Sequence, residues 1–286
     1  MKKFKFVSLL FLSLVLLATA ISCGGGGGSG SDDDDSVSGG ITGSQVFIDG
    51  RTVTLYAKWC CDHEVTQDEY QSVMGTNPSY FKDSPASGET QAKRPVEQVS
   101  WFDAIMYCNK RSSKEGKTPC YTVDGKTDTS LWGYTPHTAG SISGKIECDF
   151  TANGYRLPTE AEWEYLARGG NTNNSGQTTY SGSNTIGDVA WYGDNSGSKT
   201  HEVKKKAPNV KGLYDMSGNV WEWCWDWYGT ITTDTASSGA ASGSYRVFRG
   251  GGRNFNADYC TVRYRSYYGP YIRSLNVGFR LVRSAQ

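Results

Sequence analysis

The chain reads as an α+β protein, with short amphipathic helices in its first half and irregular β-structure with long loops in its second. Three features predict this. An Asp-Gly pair sits between two β-branched runs, three capping boxes each open a stretch with helical period, and no helical period recurs after Gly170.

Val46-Phe47-Ile48 and Val53-Thr54-Leu55 flank Asp49-Gly50, so the domain is expected to open with a hairpin. The boxes are Thr66 to Glu69, Ser100 to Asp103 and Thr159 to Glu162, the second with Asp at the third helical position. Tyr70, Val73 and Met74 share a face that ends at Gly75. Ala104, Tyr107, Cys108 and Arg111 share one up to Gly116, and Trp163, Leu166 and Ala167 one up to Gly169-Gly170. Helices so short must lie against a sheet. Trp221, Trp223, Trp225 and Trp227 alternate strictly, which is one face of a strand, and are expected in the core rather than in a ligand site.

The 29 Lys and Arg balance the 29 Asp and Glu, so no global field draws the chain to nucleic acid. The first residues are an address. Lys2, Lys3 and Lys5 precede an apolar run from Phe6 to Ala20, followed by Ala20-Ile21-Ser22-Cys23 and five glycines. This start resembles a bacterial lipoprotein signal, which implies cleavage after residue 22 and a lipid on Cys23. Residues 24–43 are mostly Gly, Ser and Asp and should form an extended tether, leaving 44–286 as one folded domain. Export permits disulfides, but the seven remaining cysteines are odd in number and none is paired in CxxC spacing. Vicinal Cys60 and Cys61 are not expected to bond to each other.

Several segments, in order, resemble the formylglycine-generating-enzyme (sulfatase-modifying factor) family, a variant of the C-type lectin fold. They are Glu64-Val65-Thr66, Arg94-Pro95-Val96, Val99-Ser100-Trp101, Gly154 through Glu164, Gly212 through Trp223, Arg249-Gly250-Gly251 and Gly278-Phe279-Arg280. Enzymes of the family carry two copper-binding cysteines five apart. Here the second position is Cys260 but the first is Phe255, and a lone thiolate does not make a two-sulfur Cu(I) site. His63, His137 and His201 lack metal-ligand spacing and are expected to be surface or loop residues. No catalytic constellation or catalytic cofactor is expected; Glu97 and Glu160 are expected to be capping or ion-pair residues. The resemblance does imply a structural calcium at Asp215, Gly218, Val220 and Glu222, with simple hydrogen bonding of the two carboxylates to the turn as the alternative. It also implies a disulfide between Cys224 and Cys260.

Between Gly250 and Gly278 the chain has no Lys, Glu, Gln, Met or Trp, five types that supply 47 of the 286 residues overall. Codons ending in C encode every residue type except these five. That is the mark of the variable proteins of diversity-generating retroelements, which this chain resembles and in which adenine-directed mutagenesis rewrites asparagine codons within a constant frame. Arg249-Gly250-Gly251, Ala257, Cys260, Arg265, Pro270, Arg273 and Gly278-Phe279-Arg280 match the frame. The variable ligand-binding segment is then about 249–280. Its interspersed residues are Arg253, Asn254, Phe255, Asn256, Asp258, Tyr259, Arg263, Tyr264, Ser266, Tyr267, Tyr268, Gly269, Tyr271, Ile272, Ser274, Leu275 and Asn276. Independently, this Tyr/Ser/Asn/Arg mixture is that of antibody paratopes; burial of the tyrosines as strand core is the competing reading. Arg253 and Arg263 against Asp258 make the patch mildly basic.

The expected function is that of a non-enzymatic, exported lipoprotein at the outer membrane or cell surface. It would bind a protein or glycan through its C-terminal face, touch the membrane through its lipid and leave nucleic acid alone. The alternatives are a copper-dependent formylglycine-generating oxidase and a fixed structural envelope lipoprotein.

Overall fold

The computed structural model describes residues 45–284 except Asp49, Lys58, Ala139, Asn173 and Asn174. The export signal, Cys23 and the tether lie outside the described residues. Within them, no helix is long and apolar enough to cross a membrane.

The expected hairpin is β1 (Gln45–Ile48) against β2 (Arg51–Thr54), antiparallel, with Ile48 opposite Arg51. After β3 (Trp59–Cys60) comes α1 (Gln67–Met74), then α2 (Trp101–Lys114), β4 (Tyr121–Val123), β5 (Ile146–Cys148), β6 (Tyr155–Arg156) and α3 (Glu160–Ala167). All three capping boxes are complete, with the side chains of Glu69, Asp103 and Glu162 returning to the backbone N–H of Thr66, Ser100 and Thr159. Gly75 ends α1 at φ 78°, the left-handed conformation that a residue with a Cβ resists. The second half adds one helical turn, α4 (Ile186–Val189), which the sequence pattern does not predict. The rest is strand and loop: β7 (Trp221–Trp227), β8 (Arg246–Arg249), β9 (Arg265–Tyr268), β10 (Val277–Gly278) and β11 (Val282–Arg283).

The largest sheet has the order β10-β7-β8-β9, with β10 parallel to β7 and the other pairs antiparallel. Strand β7 divides the core. On one face Trp221 and Trp223 pack with α2, Tyr121 and Phe279. On the other, Cys224 packs with Trp163 and Leu166 of α3, the first hairpin and Val247. A smaller sheet, β3-β11-β6, ties the two ends of the domain together. The α+β architecture is thus the expected one, with the helices laid against the sheets.

Candidate functional site

Residues 249–280 leave β8, turn through a 3-10 segment at Ala257–Cys260, form the edge strand β9 and return through a long loop to β10. Two kinds of bond that do not use the interspersed side chains hold most of this path. The first is main chain to main chain. Gly193 N–H donates to Phe255 O (2.9 Å), Trp101 N–H to Pro270 O (3.0 Å), Gln98 N–H to Ser274 O (3.0 Å) and Trp221 N–H to Asn276 O (2.8 Å). The second is made by arginines outside the interspersed set. Arg265 grips both oxygens of Glu160 at 2.5 and 2.6 Å. Arg249 pairs with Glu160 (3.2 Å) and with Glu164. Arg273 reaches Asp103 (2.9 Å) and the Tyr134 hydroxyl (2.8 Å), and Arg280 reaches both oxygens of Glu222 at 2.6 Å. Glu160 therefore is an ion-pair residue, as expected, and Asp103 serves α2's cap and Arg273 at once. Burial alone would raise the Asp103 carboxyl; the Ser100 N–H and Arg273 outweigh it and hold the carboxyl below its ordinary value.

The interspersed side chains mostly point away from this frame. Asn254, Asn256, Asp258, Arg263, Tyr267, Tyr268 and Tyr271 are exposed, the three tyrosines at 42%, 41% and 52%. Phe255, Tyr259, Tyr264, Ser266, Ile272, Ser274, Leu275 and Asn276 are half-buried. Three of the rings form a cluster on the core: Trp221 to Phe255 (5.3 Å), Phe255 to Tyr259 (5.5 Å), Tyr259 to Tyr264 (4.8 Å) and Tyr264 back to Trp221 (6.0 Å). A second contact runs from Phe248 to Tyr268 at 5.0 Å, and Tyr267 lies 4.2 Å from Tyr228. Rings that rest on rings by one face and meet solvent by the other lose little entropy when a ligand covers them. Tyr267, Tyr268 and Tyr271 are not strand core, whereas Tyr259 and Tyr264 are half-buried against it.

Two interspersed positions do not belong to the surface. Arg253 is 4% exposed; its guanidinium lies 4.3 Å over the Phe81 ring and donates to Ser198 O at 2.6 Å. Gly269 is buried, and a Cβ there would meet the Tyr271 ring at 2.9 Å. With Arg253 inside, the exposed charges are Arg263 against Asp258, so the face is balanced rather than basic.

One further expectation needs correction. Cys224 and Cys260 are both free and buried, in separate clusters: Cys224 beneath α3, Cys260 beside Tyr180 and Val189. Packing and not a bridge anchors the segment. Cys60 is also free, so the vicinal pair is not joined. At the positions implied for calcium, both Glu222 oxygens accept from Arg280, and Trp163 Nε1 adds a third donor at 2.7 Å. Burial and the nearby Asp215 and Glu222 raise the Glu64 carboxyl well above its ordinary value. Asp215 accepts from the Lys204 N–H at 2.8 Å and keeps Oδ1 buried without a partner; burial pushes its carboxyl up to about 6. His63 and His201 are loop residues, as expected, and both are buried. His201 uses both ring nitrogens, on Glu89 (2.7 Å) and Ser196 O (2.8 Å), while His63 lies between Asp62 and Glu69. Burial pushes the lone Cys260 thiol up to about 12, the reverse of an activated thiolate.

This frame, a C-type-lectin-like domain closed by a Gly-Phe-Arg strand over a Trp-Glu-Trp strand, defines the formylglycine-generating-enzyme class of fold, and the chain belongs to the sulfatase-modifying factor enzyme 1-like family, whose model matches residues 26–285. Within that class it is similar to a solved structure, Treponema denticola variable protein 1, at 44% identity over 86% of this chain and 93% of that one, with a TM-score of 0.74. It is also 37% identical to the chaperone protein LppX of Paenibacillus barcinonensis, over 86% of this chain and 87% of that protein. The formylglycine-generating enzyme of Streptomyces coelicolor matches at 37% identity over 46% of this chain and 48% of its own length.

Proposed function

We propose that the chain is an exported, non-enzymatic lipoprotein, anchored through Cys23, that binds a protein or glycan ligand through residues 254–276, and that a diversity-generating retroelement rewrites this face. One observation carries the reading: the exposed tyrosines and asparagines stand on a path whose fixed bonds come mostly from main chain and from arginines outside the interspersed set. Their identity can change without loss of the path. The similarity to Treponema denticola variable protein 1 supports a variable segment here, and the five missing residue types between Gly250 and Gly278 support its codon origin. Nothing in the site recommends nucleic acid as a partner, since its exposed charges balance.

Sequencing the locus across many cells tests the proposal. Substitutions should cluster at AAC or AAT-derived codons for Asn254, Asn256, Tyr259, Tyr264, Tyr267, Tyr268 and Tyr271 and spare Arg265, Pro270 and Arg273; an invariant segment removes it. A second reading, a chaperone-type lipoprotein with one constant partner, is favoured by the similarity to LppX. It predicts that same invariance.

A further inference from the structure

Strand β7 does not keep its four tryptophans in the core. Trp221 and Trp223 are buried, but Trp225 and Trp227 are only half-buried. The register explains the change. Trp223 faces Phe248 and Trp227 faces Arg246, so four residues of β7 advance against two of β8, and the Trp225 N–H turns away to Pro158 O at 2.9 Å. A bulge of this kind re-aims side chains. Here it opens a cleft of about 560 Å³ walled by Trp225, Trp227, Phe102, Ile146 and Phe150, with Arg246 at its base.

Arg246 is the unusual member. It is 3% exposed, and its guanidinium carbon lies 3.8 Å from the Trp101 ring centroid and 3.5 Å from that of Trp227. Both faces of the guanidinium are therefore covered, and only its edge can bond. Nη1 donates to Trp225 O, whereas Nε is buried without a hydrogen-bond partner. Among the described residues Arg246 forms no ion pair, unlike Arg156, Arg249, Arg265, Arg273 and Arg280. The neighbouring Asp226 acts on Arg246 only through space: Oδ2 accepts from the Glu160 N–H at 2.7 Å, and Oδ1 is buried without a hydrogen-bond partner against Gly239, where a Cβ would meet it at 2.6 Å. A buried cation with no counter-ion in bonding distance leaves its charge poorly compensated. Burial accordingly pushes Arg246 down to about 9.

We propose that this cleft is a binding site for a small organic carboxylate with a planar apolar body. The carboxylate takes the Nε–Nη2 edge of Arg246, the fork geometry that guanidinium offers to two oxygens. The ring lies against Trp225, Trp227 and Phe150. The site is built from frame residues, although Arg246 pairs across the strands with Tyr268. It is a constant subsite one strand away from the variable face, and it does not depend on that face's reading.

The test uses the whole mature chain, with phenylacetate as probe and phenylacetamide as its neutral isostere, followed by tryptophan fluorescence and calorimetry. Phenylacetate should saturate, with phenylacetamide at least about tenfold weaker. Arg246→Gln should bring the acid to the level of the amide. Should that variant fail to fold, Ala241→Trp, on an exposed residue of the cleft's loop wall, should abolish binding of both probes with the circular dichroism unchanged. Replacing Tyr267, Tyr268 and Tyr271 together by Ser should leave phenylacetate binding within about twofold. Equal affinity for acid and amide, no saturation up to roughly 10 mM, or full binding by Ala241→Trp overturns the proposal.

Discussion

The helices α2 and α3 and the segment from Asn254 to Asn276 are both packed on β7 and β8, yet they are held in opposite ways. The helices are held by what their side chains are. Trp101 donates to Cys224 O, Trp163 to Glu222, and Glu162 binds Arg156 as well as its own cap. The segment is held by where its carbonyls are and by four arginines that do not belong to its exposed set. Identity therefore matters in the first region and path in the second. That difference is what a binding face open to substitution requires.

The comparison breaks most severely at Arg280 and Glu222. Both are fully buried, so Arg280→Ala strands a carboxylate and should cost about 3–5 kcal/mol in urea unfolding. A loss below about 1 kcal/mol would place the anchor elsewhere. A second effect of comparable size is set by pH. Burial opposes the charge on His63, but its bonds to Asp62 and Glu69 prevail and push it up to about 9 from 6.5. A value raised on folding means stability fully present below about 6.5 and lost as pH rises through about 9, on the order of 3 kcal/mol at most. Melts across that window should show the decline in the parent chain and a flatter course in His63→Gln.

Smaller effects sharpen the same contrast. Thr159→Ala removes the cap that accepts from the Glu162 N–H at 3.2 Å, and should lower stability by about 1 kcal/mol. Substituting Ser for Tyr267, Tyr268 or Tyr271 singly should change stability by less than about 0.5 kcal/mol, because each ring is more than 40% exposed. A tyrosine that cost as much as the cap would belong to the frame, and the face would have to be redrawn without it.

The parts legible in the sequence are those written within a few residues. The Asp-Gly hairpin, three capping boxes and the stop at Gly75 each depend on neighbours three or four positions away. The strand of tryptophans was legible as a strand, but half of it left the core because a bulge set by β8 cannot be read from period two. Arg253 was misplaced for the same reason. Its neighbours, Phe81 and Ser198, are far off along the chain, and an arginine among tyrosines looks exposed until those partners are known. The disulfide expectation rested on resemblance, and it gave way to a local fact, the separate packing of two thiols.

Three of the long-range bonds that fasten the segment take their hydrogen from Gln98, Trp221 and Gly193 and only a carbonyl oxygen from an interspersed residue; Trp101 donates to Pro270 in another, while the Arg253 and Val262 N–H groups donate outward to Asn219 O and Thr179 O. Proline lacks an amide hydrogen but keeps that oxygen, and Pro270 already fills the role. Even the residue most disruptive to ordinary secondary structure can thus enter at Ser274 without removing that oxygen, whereas Phe255 and Asn276 also donate their own N–H, to Gly252 O and Ser274 Oγ, and would lose that bond to proline.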